Sequence, residues 1–107
     1  MARAWVNFNA TGTIAIRTSV NVSSITDNGT SDYTINFTTA MADANYAVIA
    51  SASVNAGART GAIVGINSKV VGGWDNFTPT TSACRITVSD DTSTNYDPTH
   101  VCVSIFR

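Results

Sequence analysis

The sequence predicts an all-β chain, an antiparallel β-sandwich of about seven or eight short strands with little or no helix, and three observations lead there. Leu, Glu and Gln are absent and Lys occurs once, while Thr, Ser, Asn, Val, Ile and Ala fill the chain. Residues that lose little entropy in a helix are therefore scarce and β-branched ones abound. Apolar and polar residues alternate with period two, most cleanly where Tyr33, Ile35 and Phe37 are interleaved with Thr34, Asn36 and Thr38, which makes one face core and the other wet. Turn residues punctuate the alternation, Asn28-Gly29 most strongly, because both tolerate the positive φ of a tight turn between twisted strands. A chain of 107 residues supports one domain, residues 1–107, burying roughly 60–70% of the surface its unfolded form exposes.

Taken in order, the first strand is expected over residues 3–9, with Ala4, Val6 and Phe8 facing the core and Trp5 and Asn7 facing away. Ala10-Thr11-Gly12 turns the chain into a second, long strand. There Ile14, Ile16, Thr18, Val20 and Val22 alternate with Thr13, Ala15, Arg17, Ser19 and Asn21. Ser23-Ser24 then shifts the phase before Ile25, as a bulge would, and the chain enters the hairpin centred on Asn28-Gly29. Residues 38–45 form a loop holding at most one helical turn. Residues 46–54 carry small or apolar groups on both faces, which suggests a strand covered on both sides. Residues 55–60 are turn chemistry, residues 61–67 a short strand of small residues, and residues 69–79 a loop in which Gly72-Gly73 gives freedom and Pro79 restricts the exit. A strand over residues 82–89 places Cys84, Ile86 and Val88 opposite Arg85 and Thr87. A polar loop over residues 90–99 leads to the closing strand, residues 100–106.

The formal net charge is -1 and only 12% of residues are charged, which leaves no electrostatic footprint for nucleic acid or an anionic membrane. The apolar runs stop far short of the ~20 residues of a membrane helix, so neither nucleic-acid binding nor membrane insertion is expected. Met1-Ala2-Arg3-Ala4-Trp5 is followed at once by Asn7, Asn9 and Thr11, with no signal-peptide core. Cys84 and Cys102 fall on faces of opposite parity, which favours free thiols over a bridge.

Several clusters carry residue types that could form a site. Seven Asp residues, mostly beside turn residues, are the only acids, and they suit turn hydrogen bonding better than paired-carboxylate catalysis. His100 stands four residues from Ser104 along one strand, too far for a nucleophile and its base. Asp90, Asp91, Asn95 and Asp97 lack the glycine and distal Glu of the standard calcium loop, and two Cys with one His do not make a structural zinc site. No cofactor and no metal is expected. Trp74, Asp75 and Asn76, with Phe77 beside them, combine an apolar platform and planar polar groups, the equipment for binding a sugar. Arg59 and Tyr96 are weaker candidates of the same kind. Large aromatics are also the residues that most often close a core or meet a neighbouring subunit, so packing stands beside sugar binding as a use for Trp74. Trp5, on the face away from the core, and the two-sided strand with Tyr46, Val48, Ile49 and Ala50 are candidates for an oligomer interface.

Residues 22–41, with Trp5-Val6-Asn7-Phe8 and residues 12–17 before them and Asp43-Ala44-Asn45-Tyr46 after them, closely resemble a domain at the C-terminal end of phage tail-fibre proteins. The likeness covers about residues 3–54 and returns in Val103-Ser104-Ile105-Phe106-Arg107. Little of it is found between residues 55 and 100. The resemblance implies a fibre end on the virion, made in the host cytoplasm without a signal peptide and extracellular after release. Its partners would be two further copies in a homotrimer, the rest of the tail fibre, and a bacterial surface receptor, commonly a glycan. No catalytic residues transfer with it. The expected function is non-enzymatic host attachment. A purely structural or trimerisation module of the fibre and a carbohydrate-binding module of a larger depolymerase are the alternatives.

Overall fold

The computed structural model describes residues 1–54, 63–65, 69–70, 73–74, 78–90, 94 and 96–107. Among the described residues ten strands run β1 Ala2–Asn9, β2 Ala15–Val20, β3 Val22–Gly29, β4 Asp32–Phe37, β5 Ala47–Ala52, β6 Ile63–Gly65, β7 Lys69–Val70, β8 Gly73–Trp74, β9 Ala83–Ser89 and β10 Val101–Phe106. They form a first sheet in the order β2-β1-β10-β5, a second in the order β3-β4-β9-β6, and a small β7-β8 ribbon. Every strand pair is antiparallel, and the described residues contain no helix. The expected all-β sandwich is the observed architecture.

Period two determines which residues meet between the sheets. Ala4, Val6 and Phe8 of β1 and Val101, Val103 and Ile105 of β10 are buried from one side, and Tyr33, Ile35, Phe37, Cys84, Ile86 and Val88 from the other. Phe8 and Tyr33 join the layers edge to face, with ring centroids 5.5 Å apart, a geometry that aligns the edge of one ring with the electron-rich face of the other. Since β1 and β10 pair at the centre of the first sheet, the two ends of the chain are locked into the same core.

Three expectations are corrected. The second strand does not run unbroken through Val22: it ends at Val20, and the chain crosses to the other sheet at Asn21, whose φ is 56°. Asn is among the few residues that adopt this left-handed conformation at low cost. The expected phase shift follows immediately, as a register irregularity between Val22 and Ser24. The hairpin turn is displaced from Asn28-Gly29. Both residues belong to β3, and the chain reverses at Thr30-Ser31 with positive φ at Gly29 (130°) and Ser31 (64°). Asn28 instead donates from its side chain to Thr34 Oγ1 at 2.7 Å. Finally, part of the expected loop over residues 69–79 is a ribbon pairing Lys69 with Trp74 and Val70 with Gly73.

Candidate functional site

The outward face of the first sheet differs from an ordinary wet face. Register places Val20 beside Trp5, Trp5 beside Ser104, and Ser104 beside Ile49, a row running across all four strands. Antiparallel partners share a face, and strands lie about 4.8 Å apart, so these side chains are contiguous. Val20 is 48% exposed and Ile49 61%, with Trp5 half-buried between them. Phe106 is exposed on the same side, opposite Ala47. The next row along is Thr18, Asn7, Cys102 and Ser51. Cys102 is half-buried there as a free thiol, while Cys84 is a free thiol in the core, as the parity of the two strands requires. Burial alone pushes the Cys84 thiol up to about 11.

The expected interface residues therefore divide. Trp5 and Ile49 lie on this outward face. Val48 and Ala50 alternate with Ile49 and pack against the core, which half-buries them. Tyr46 precedes β5 and is a core residue. It stacks edge to face on Phe37 at 5.7 Å, and its hydroxyl lies 2.9 Å from the Thr80 carbonyl and 3.0 Å from that of Ala83, donating to these acceptors. Burial raises its ionisation well above the usual phenol range. Periodicity missed Val20 and Phe106 on the outward face. For Val20 the available signal was Asn21, the residue at which an otherwise clean alternation changes sheet.

The expected receptor-binding residues divide as well. Tyr96 is only 3% exposed, and its hydroxyl donates to the Ser53 carbonyl at 2.9 Å. This is a strut between the residues before β10 and the end of β5, not a sugar platform. The backbone of Trp74 lies in β8, paired with Lys69, so it occupies one arm of a ribbon. Arg59, Asp75 and Asn76 lie outside the described residues, as does Phe77.

The acidic loop before β10 ties itself to the sandwich. The Thr94 amide donates to Asp90 Oδ1 and the Asp90 amide to the Thr94 carbonyl, both at 2.9 Å. Asp97 Oδ1 accepts the Ser31 amide at 2.8 Å and the Tyr33 hydroxyl. Burial first, and then Asp97, drive the Tyr33 ionisation far upward. Asp91 and Asn95 lie outside the described residues. His100 is exposed, with Nδ1 3.3 Å from the Thr99 hydroxyl.

Comparison with known proteins gave no matching family model, no matching curated protein and no matching solved structure.

Proposed function

We propose that this chain is a non-enzymatic attachment module of a phage tail fibre, working as a homotrimer that binds a bacterial surface receptor, most naturally a glycan. The observation that carries the reading is the outward face of the first sheet. Val20, Trp5 and Ile49, with Ser104 between the last two, form a largely apolar row that the described residues leave partly exposed, and such a surface has its use in contact with another copy. The resemblance of residues 3–54 to fibre-end domains points the same way. Receptor binding is assigned to the segment with Arg59, Trp74, Asp75 and Asn76, and Tyr96 is withdrawn from that set because its ring is buried. Three weak sites on one fibre end gain avidity without any new contact.

The test is binding of the purified protein to a panel of immobilised bacterial envelope polysaccharides, beside a Trp74→Ala variant. Saturable binding that the variant loses is the expected result. Binding at background for both proteins would overturn the receptor-binding half of the reading and move the structural, trimerising module to the front. The carbohydrate-binding module of a larger depolymerase keeps the glycan contact but needs a catalytic domain joined to this one.

A further inference from the structure

A cleft of about 460 Å³ opens at the end of the sandwich where β1 begins, β10 ends and residues 39–42 pass between the layers. That volume falls in the range of small-molecule sites. Its wall is fixed before any ligand arrives, which lowers the ordering cost of binding. The Asn21 side-chain amide donates to the carbonyls of Arg3 (3.3 Å) and Thr39 (3.0 Å) and accepts the Thr39 amide at 2.7 Å, while the Met41 amide donates to the Thr81 carbonyl at 2.8 Å. Ala40, Met41 and Ala42 give part of the lining an apolar character.

The two cations of the cleft are not equivalent. Arg107 commits Nε and one Nη to the Asp43 carboxylate, which holds that carboxyl down to about 2, the Arg107 hydrogen bonds first and the Asn45 amide second. That pair is neutral as a unit. Arg3 commits only Nε, in a long, weak 3.4 Å bond to a main-chain oxygen of Arg107, an α-carboxylate oxygen in the 107-residue chain. Its two Nη groups have no protein acceptor among the described residues, and no side-chain carboxylate lines the cleft. A guanidinium fork matches a carboxylate or a phosphate through two parallel bonds. The exposed Ala40 and Ala42 beside it, backed by the buried Met41, have nothing to offer a bare oxyanion but suit the C–H face of a ring.

We propose that this cleft binds a carboxylate-bearing sugar unit, its carboxylate on Arg3 and its ring over Ala40 and Ala42. The cleft uses none of Arg59, Trp74, Asp75 and Asn76, so either site stands if the other fails.

The test is a titration of the isotopically labelled full chain with glucuronate, glucose and inorganic phosphate at low ionic strength, followed by amide chemical shifts. Glucuronate is expected to move the amides of Asn21, Thr39 and Met41, with glucose and phosphate each at least about tenfold weaker. Arg3→Gln should weaken glucuronate by at least about tenfold, since the charge-assisted fork is lost, and leave the thermal melt unchanged because Arg3 is exposed. Ala42→Asp, which sets a like charge beside the ligand, should abolish binding. The assignment falls if glucose or phosphate matches glucuronate, if Arg3→Gln binds as the parent does, or if no amide moves at ~50 mM, well above the millimolar affinity of a weak single site.

Discussion

The two outward faces of the sandwich come from the same sparse alphabet of small and β-branched residues, yet they are finished differently. On the second sheet the outward side chains bond to one another. Asn36 donates to Ser24 Oγ at 3.1 Å and Thr26 Oγ1 at 2.9 Å, Asn28 donates to Thr34, and Arg85 donates through Nε and Nη2 to both oxygens of Asp32. These side chains satisfy one another, while Thr87 on the same face of β9 is fully buried. On the first sheet one row holds Val20, Trp5, Ser104 and Ile49, whose three apolar members gain nothing from water and nothing from each other beyond contact. A polar ladder closes a sheet against further association, whereas an apolar row invites it.

Charge placed on the apolar face should have the largest effect. In the proposed homotrimer, Trp5→Asp is expected to abolish self-association, because burying an unpaired carboxylate against a neighbouring copy costs several kcal/mol. Thr26→Asp on the polar face is expected to leave the assembly intact. Molar mass by light scattering after size exclusion checks both, and equal loss with both variants would break the comparison. The thiols sharpen it further. At neutral pH a thiol reagent should label Cys102 and spare Cys84, and Cys102 labelling should slow as protein concentration rises and the outward face is covered.

The next effect is on pH. Burial raises the Cys84 thiol to about 11 from an ordinary value near 9, and Tyr33 and Tyr46 are also raised. Between these limits the unfolded chain has released its thiol proton while the folded chain retains it, so the unfolded state binds fewer protons and stability falls as pH rises. The Cys84 contribution is fully present below about pH 9 and is lost through about pH 11, a decline on the order of 2 kcal/mol. Denaturant midpoints at pH 8 and pH 11 measure it, and Cys84→Ala should flatten the part due to the thiol.

The smallest of the three effects belongs to the polar face. Asp32 accepts two bonds from Arg85, at 2.8 and 2.6 Å, and one from Asn28 at 3.4 Å, with its side chain 12% exposed against 39% for Arg85. Removing it in Asp32→Ala should cost about 1–2 kcal/mol, as solvent compensates the half-exposed guanidinium in part. Chemical denaturation reads the loss, and a change below about 0.3 kcal/mol would mean the ladder adds little beyond its packing.

Much of this was legible in the order of residues. The class, the inward faces of β1, β4, β9 and β10, and the outward placement of Trp5 follow from period two, because a strand sends successive side chains to opposite sides whatever surrounds it. The opposite parity of Cys84 and Cys102 follows for the same reason. Which sheet a strand joins is a different matter. Val20 and Val22 belong to one unbroken alternation in the sequence but to different sheets in the fold, because the left-handed turn at Asn21, held by bonds from residues as distant as Thr38 and Thr39, re-aims the chain between them. Tyr46 and Tyr96 tell the same story: Tyr46 reads as an interface residue of a two-sided strand and Tyr96 as a binding aromatic among polar loop residues, and each is instead buried with its hydroxyl on a carbonyl from a remote segment, Thr80 or Ser53. Local periodicity sets which way a side chain points relative to its own strand. Only the closing of two sheets over one core decides what lies on the other side of it, since that depends on partners dozens of residues away that no local pattern encodes.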